Sequence, residues 1–101
     1  MRAHVYILYS PSIDKFYIGS TELEPTQRLQ LHVDNFYGNS KYTAKTDDWQ
    51  IFFTHECENI SQAKAIERHI KKMKSRVYLK NLKKYPEIFS KLLIQYSGSS
   101  R

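Results

Sequence analysis

The sequence is poor in cysteine and has no long hydrophobic run. Cys57 is the single cysteine among 101 residues, which excludes an intramolecular disulfide and a zinc cluster built from cysteines, and fits a reducing compartment. No stretch reaches the roughly 20 apolar residues that cross a bilayer, and the N-terminus lacks the features of a signal peptide. We therefore expect a soluble cytoplasmic protein, complete from end to end, with no membrane partner.

Acidic residues are scarce relative to basic ones. Ten Asp and Glu stand against 16 Lys and Arg, which gives a formal net charge of +6. This balance favours an anionic partner, most commonly nucleic acid, although many small basic proteins bind nucleic acid only loosely. The length suits one domain with one core. We expect that domain to span residues 1–96, with a disordered tail at 97–101.

Tyrosine, isoleucine and phenylalanine are concentrated near the N-terminus. Val5–Thr21 contains two such runs separated by turn residues, which is the pattern of a β-hairpin. If the connection is Ser10–Ile13, Tyr6 lies directly opposite Tyr17 and both rings share one face of the sheet. The opposite face is then apolar and could cover a core; it carries Val5, Ile7, Tyr9, Phe16 and Ile18.

A helix is predicted from Pro25 to about Asn35, because proline in a first turn followed by good helix formers is a helix start. Arg28 and His32 are four residues apart on this helix, so they point the same way. Taken singly, each is more commonly a solvated or half-buried surface residue. The buried stripe of the helix is Leu29, Val33 and Phe36.

The next segment, Asn35–Asp48, has no sustained period and is predicted to be a long loop. Its Lys41 and Lys45 are candidate phosphate contacts, and Tyr42 is a candidate for stacking on a base or sugar. Equally, the loop aromatics could attach the loop to the domain. Trp49–Glu56 is predicted to be the third strand, in the central or most buried position.

The strongest helical period of the chain lies in Ile60–Lys74, with Asn59 or Ser61 as its cap. Glu67 falls at the edge of the buried stripe, where a carboxylate is partly desolvated and must be paired or bind a cation. A salt bridge to a nearby lysine or to Arg28 and a metal-binding role are both open. The stripe consists of Ala63, Ile66, Ile70 and Met73.

Lysine and arginine are dense in Lys71–Lys84, an amphipathic segment that we expect to bend near Ser75 into a second short helix. A charge run is usually a solvated face, but this density directly after Glu67 favours a surface that follows nucleic-acid phosphates. A last helix, Glu87–Tyr96, follows Pro86 and closes the core. The predicted nucleic-acid contacts of the segment are Lys71, Lys72, Lys74 and Arg76.

The order of these residues resembles that of the GIY-YIG endonuclease family, in particular its small stand-alone bacterial members. His4-Val5-Tyr6 stands where the family has its first triplet, and the second triplet, Tyr17-Ile18-Gly19, is intact. The family's late asparagine has Asn81 as its candidate. The resemblance implies an α/β (α+β) fold with a three-stranded antiparallel sheet flanked by helices, and metal-dependent hydrolysis of DNA. It implies these catalytic residues: Tyr6, Tyr17, Arg28, His32 and Glu67.

Phosphodiester hydrolysis explains why such residue types would be needed. Glu67 would bind one Mg²⁺ or Mn²⁺ ion, and Arg28 would hold a non-bridging phosphate oxygen. Tyr6 would activate or orient the attacking water, with Tyr17 hydrogen-bonding the water or the phosphate. Because a phenol with a pKa of about 10 is a poor base at neutral pH, His32 is an alternative base.

Two other functions stay open. One is a non-catalytic nucleic-acid-binding module, suggested by the altered first triplet. The other is a protein-interaction domain in which Glu67 forms a structural bridge to Arg28. The expected partner is DNA, with RNA as an open alternative, and the protein is expected to be a monomer or a homodimer.

Overall fold

The computed structural model describes residues 2–22, 27 and 48–97. Strands β1 (Ala3–Ser10), β2 (Lys15–Thr21) and β3 (Gln50–Cys57) form one antiparallel sheet in the order β2-β1-β3. In the described residues, β3 is followed by helices α1 (Ile60–Met73), α2 (Arg76–Lys84) and α3 (Pro86–Gln95). The predicted fold class, a three-stranded antiparallel sheet with helices, is confirmed.

Strand β1 is the central strand, so the prediction that the third strand is central was wrong. β1 pairs with both neighbours, and its residues Val5, Ile7 and Leu8 are fully buried. Among the described strands β3 pairs only with β1, and its exposed positions include Thr54 and Glu56. The apolar run of β1 is nearly continuous, as in a strand covered on both faces, whereas β3 carries the polar residues of an edge strand.

The β1–β2 hairpin differs from the predicted register by two residues. Ser10 pairs with Lys15, so the connection is residues 11–14, and Tyr6 lies opposite Gly19 instead of Tyr17. Asp14 has a φ angle of 52°, in the left-handed region that aspartate tolerates better than most residues. Since side chains alternate with a period of two, a shift of two residues keeps each side chain on its predicted face.

One face of the sheet is covered by all three described helices. The buried stripe of α1 packs on Val5 and Ile7 of β1, and Ile18 of β2 packs against the same cluster. This confirms the apolar face predicted for the hairpin. The cluster is completed by residues of all three helices, namely Ala63, Ile66, Ile70, Leu79, Leu82, Phe89 and Leu92.

Met73 was predicted to belong to the buried stripe of α1, but its side chain is 44% exposed. Helix α1 ends at this residue, and Lys74 follows with a φ angle of 47°. The chain therefore turns away before the last position of the stripe reaches the core. Ser75 then caps α2 by accepting a hydrogen bond from the Tyr78 amide, which confirms the predicted bend.

The start of α1 and the last helix are also fixed by specific contacts. The side chain of Asn59, one of the two predicted caps, accepts a hydrogen bond from the Gln62 amide. The buried Gln62 side chain donates to the Leu93 carbonyl oxygen at 3.0 Å, which links α1 to α3. Pro86 occupies the first turn of α3, where its missing N–H leaves no bond unmade.

Candidate functional site

The two signature tyrosines lie on the sheet face opposite to the helices. Tyr6 is buried together with Leu8 and Trp49, and Tyr17 packs against this cluster. The Tyr6 and Tyr17 ring centroids are 6.3 Å apart, a diagonal contact between neighbouring strands. The tyrosine rings therefore share a face, as predicted.

Gly19 has a packing role that the sequence did not reveal. A Cβ atom at this position would lie 2.5 Å from both Cζ and Oη of Tyr6. The phenol end of Tyr6 thus rests directly on the backbone of its cross-strand partner, so any side chain at position 19 would force Tyr6 to shift. The glycine of the second triplet and the tyrosine of the first are parts of one contact.

Glu67 contacts strand β2 immediately after that glycine. Its Oε1 accepts a hydrogen bond from the Ser20 hydroxyl at 2.6 Å, and its Oε2 lies 2.6 Å from the Lys71 ammonium. The Glu67 side chain is 18% exposed and that of Lys71 is 51% exposed. A partly buried carboxylate is therefore held at the edge strand by one hydroxyl and one ammonium group.

The nearby-lysine salt bridge that the sequence left open for Glu67 is thus present. It is an i, i+4 pair whose cation is half exposed, and pairs of this kind contribute about 0.3–0.5 kcal/mol. A divalent cation would attract the same carboxylate more strongly than this single ammonium group does. The pair is therefore compatible with replacement of the ammonium group by a metal ion.

Glu67 approaches the sheet from the helix-covered side. Successive side chains of a strand point to opposite faces, so Ser20 faces α1 whereas Gly19 faces Tyr6. The carboxylate and the tyrosine rings are consequently on different faces, and both are next to the Gly19–Ser20 end of the edge strand β2. The resemblance implies that Tyr6, Tyr17 and Glu67 act in one active site, and this separation by the sheet is a feature that the sequence did not indicate.

Some of the other predicted site residues lie in the described part of the chain, and the rest lie outside it. Among the nucleic-acid contacts, Lys71, Lys72 and Lys74 are exposed at the end of α1. The remaining predicted site residues lie outside the described part of the chain, so their place in the site stays a prediction. They are Arg28, His32, Lys41, Tyr42 and Lys45.

Arg76 is bound to the hairpin turn. Its guanidinium group donates to both carboxylate oxygens of Asp14 at 3.2 Å and to the Asp14 carbonyl oxygen, and lies 5.2 Å from the ring centroid of Phe16. The Tyr9 hydroxyl donates to the same carboxylate at 2.6 Å. Hydrogen bonds from Tyr9 and then from Arg76 hold the pKa of Asp14 below its ordinary value. Arg76 therefore attaches α2 to the turn in addition to any contact with a ligand.

A groove lies between strand β2 and the junction of α1 with α2, and we call it the junction groove. Its cavity volume is about 640 Å³. Both basic and apolar residues line it. The lining residues are Lys15, Phe16, Ile18, Ile70, Lys71, Lys74, Ser75, Arg76 and Leu79.

Sequence reasoning missed Ser20 as a partner of Glu67 and Asp14 as a partner of Arg76. The first contact joins residues 47 positions apart and the second joins residues 62 positions apart. The available signal for Ser20 was its position directly after the second triplet. For Asp14 it was the turn pattern, which predicts a local role and gives no hint of a partner in α2.

A family model described as the GIY-YIG catalytic domain matches residues 2–84 of the 101-residue chain. Comparisons with curated proteins and with solved structures found no match. No helix in the described residues is long and apolar enough to cross a membrane. With its strand pair, its intact second triplet and a match over most of its length, the chain belongs to the GIY-YIG family of nuclease catalytic domains.

Proposed function

We propose that this protein is a metal-dependent endonuclease that hydrolyses DNA phosphodiester bonds by water attack. The observation that carries the proposal is the packing of Tyr6 on Gly19 beside Tyr17, in a chain of a nuclease family. We treat residues 1–96 as one catalytic domain that acts in the cytoplasm, as a monomer or a homodimer. Nucleic acid is the substrate class of the family, and DNA is our proposal for this chain.

The tyrosine pair would handle the attacking water. Tyr6 is fixed by its contact with Gly19, so its hydroxyl has one defined position, and Tyr17 is less buried and could meet the water or the phosphate. Arg28 would hold a non-bridging oxygen through two parallel hydrogen bonds. The base that receives the proton would be Tyr6 or His32, of which histidine has the better matched ordinary pKa.

Glu67 would bind the divalent cation, as GIY-YIG nucleases generally depend on one. In the described residues no group of three or more His, Cys, Asp or Glu side chains comes together, and in this proposal Glu67 would be the carboxylate ligand of the ion. This donor set fits Mg²⁺ or Mn²⁺, which often keep water and phosphate oxygens as most of their ligands. When bound, such an ion would stabilise negative charge on the phosphate and the leaving oxygen. The Ser20 hydroxyl would keep Glu67 oriented.

Binding of DNA would use the end of α1 and the start of α2. Lys71, Lys72 and Lys74 are exposed there, and Arg76 is 48% exposed despite its contact with Asp14. Phosphate contacts by such residues hold a nucleic acid in position without reading its sequence. Lys41, Tyr42 and Lys45 would add contacts from the segment before β3.

A non-catalytic nucleic-acid-binding module is the second candidate. His4 and Val5 replace two residues of the family's first triplet. The Lys71 ammonium group lies against the carboxylate that would bind the cation. Both observations would fit a protein that kept the fold and the basic surface but lost turnover.

Incubation of supercoiled plasmid with Mg²⁺ or Mn²⁺ separates the two candidates, because only the nuclease converts it to the nicked form. We expect nicking by the wild-type protein and none in EDTA. A gel shift in EDTA tests DNA binding on the same preparation. DNA binding without nicking under any of these conditions would favour the second candidate and refute the first.

A further inference from the structure

Trp49 packs against Tyr17 on the sheet face opposite to the helices. It directly precedes strand β3, its side chain is 3% exposed, and it is buried together with Tyr6 and Leu8. The Trp49 and Tyr17 ring centroids are 6.5 Å apart with an angle of 64° between the ring planes, which is an edge-to-face contact. Because Tyr17 belongs to β2, this contact joins β2 to the start of β3 across the central strand.

The half-buried ring of Tyr17 contacts two rings that are themselves fixed. Tyr6 lies 6.3 Å away and rests on the backbone of Gly19, whereas Trp49 is almost fully buried. These two neighbours limit the rotation of the Tyr17 ring. A side chain without a ring at position 49 would leave Tyr17 room to change its rotamer. The Tyr17 hydroxyl would move most, because it lies at the far end of the side chain.

The backbone just before Trp49 is attached to the turn between β1 and β2. The Asp48 carboxylate accepts hydrogen bonds from the Ser10 hydroxyl and, at 2.9 Å, from the Ser12 amide. Ser10 is fully buried at the end of β1, so Asp48 is held against the central strand. Since Asp48 and Trp49 are consecutive, the indole is supported through its backbone as well as through the packing of its ring. Support of both kinds is what keeps a side chain in one position.

We propose that Trp49 is a positioning residue for Tyr17, and that it holds the Tyr17 hydroxyl where this group meets the attacking water or the phosphate. The inference rests on the proposed function, which gives Tyr17 that task. Trp49 itself is too deeply buried to touch the substrate, so it acts through Tyr17. Misplacement of a reacting group by about 1 Å can lower a rate by about 100-fold. Loss of the indole should therefore be visible in the rate of nicking.

The first test removes the indole and then restores a ring. Trp49→Leu keeps a large apolar side chain, and it should lower plasmid nicking in Mn²⁺ per folded molecule by about tenfold. DNA affinity in EDTA, measured by gel shift, should stay within about twofold. Trp49→Phe should recover at least about half of the wild-type rate, because a ring again borders Tyr17.

Phe53→Leu is the matched control for Trp49→Leu. It also removes a ring from the region of β3, but Phe53 packs on Phe89 on the helix-covered face, with ring centroids 5.6 Å apart. Nicking per folded molecule should stay at the wild-type level in this variant, with the folded fraction measured by circular dichroism. Equal losses in Trp49→Leu and Phe53→Leu would overturn the proposal.

The second test asks whether Trp49 acts through the Tyr17 hydroxyl. Tyr17→Phe removes that hydroxyl and keeps the ring. When Trp49→Leu is added to Tyr17→Phe, the rate of nicking should fall by no more than about a further twofold, because the group that Trp49 positions is already gone. A further tenfold loss in the Tyr17→Phe protein would show a general effect on the fold and would overturn the proposal.

NMR keeps this inference apart from the proposed function, because it needs no turnover. The nuclear Overhauser effect between the Tyr6 and Tyr17 ring protons reports the position of the Tyr17 ring. It should weaken in Trp49→Leu and stay unchanged in Phe53→Leu. A protein that shows this pattern but never nicks plasmid supports the positioning by Trp49 and refutes the proposed function. A protein that nicks plasmid but keeps the full effect in Trp49→Leu retains the proposed function and refutes the positioning.

Discussion

A carboxylate lies at each end of strand β2, and each is bound by one hydroxyl group and one cation. At the turn end, Asp14 accepts hydrogen bonds from Tyr9 and Arg76. At the other end, which follows Gly19, Glu67 accepts a hydrogen bond from Ser20 and pairs with Lys71. The Asp14 side chain is 65% exposed and its cation comes from 62 residues away. The Glu67 side chain is 18% exposed and its cation is one helical turn away.

This difference separates a structural ion pair from a replaceable one. Arg76 makes several hydrogen bonds to Asp14, and its own position depends on Phe16, so the pair connects two elements of the fold. Lys71 and Glu67 belong to the same helix, so their pair connects nothing that α1 does not already connect. A carboxylate whose counterion has no structural task is free to accept a different cation.

The largest expected effect comes from changing the Glu67 carboxylate to an amide. We expect Glu67→Gln to lower metal-dependent plasmid nicking on the order of 100-fold or more, because it removes the charged ligand of the cation. Unfolding stability should change by no more than about 1 kcal/mol, since the lost pair is a half-exposed i, i+4 bridge. Asp14→Asn is the matched control at the turn end and should retain nicking. Thermal unfolding and nicking are measured on the same preparations.

The result that contradicts this comparison is a Glu67→Gln protein that unfolds at much lower temperature yet nicks in proportion to its folded fraction. Glu67 would then be a structural residue. Loss of nicking in Asp14→Asn without loss of folding would instead bring the turn end into the active site.

The second prediction concerns the packing of Tyr6 on Gly19 in strand β2. Gly19→Ala would place a methyl group 2.5 Å from the Tyr6 ring, so the buried tyrosine must shift. We expect a loss of about 1–3 kcal/mol in unfolding free energy, as for other overpacked cores, together with reduced nicking per folded molecule. Lys15→Ala, at the exposed turn end, is the stability control. Denaturant unfolding that leaves Gly19→Ala as stable as wild type would show that Tyr6 is not tightly held.

The third prediction tests whether Lys71 competes with a metal ion. Lys71→Met keeps the length of the side chain and removes the ammonium group from Glu67. An i, i+4 pair of about 0.3–0.5 kcal/mol corresponds to roughly twofold tighter Mn²⁺ binding, which titration calorimetry can measure. Lys72→Met removes the neighbouring charge and serves as the control. Equal gains in both variants would indicate a general charge effect.

The smallest effect concerns the titration of Asp14. Its pKa lies below the ordinary 3.8 because Tyr9 and Arg76 donate hydrogen bonds to the charged form. The stabilisation of the turn is therefore present above about pH 4 and is lost as the pH falls through the lowered pKa. NMR titration should show the midpoint rising both in Tyr9→Phe and in Arg76→Ala. A midpoint that stays unchanged in both variants would mean that neither hydrogen bond persists in solution.

Several features could be predicted because they depend on local sequence. The hairpin, the helix that follows β3 and the bend at Ser75 come from strand propensity, a 3.6-residue period and a capping serine. The shared face of Tyr6 and Tyr17 also came out correctly, since a register error of two residues leaves the faces unchanged. Glu67 was recognised at the edge of the stripe of α1, where the structure has it partly buried.

The sequence by itself determined the family, the alternation of the hairpin and the helical periods, because each depends on residues close together in the chain. The tertiary structure alone decided that β1 is central, that Tyr6 rests on Gly19, and that Glu67 reaches Ser20 from the opposite face of the sheet. It also decided that Arg76 binds Asp14 and that Lys15 and Lys74 line the junction groove. Such pairings join residues far apart in sequence, and no local propensity selects one distant partner over another.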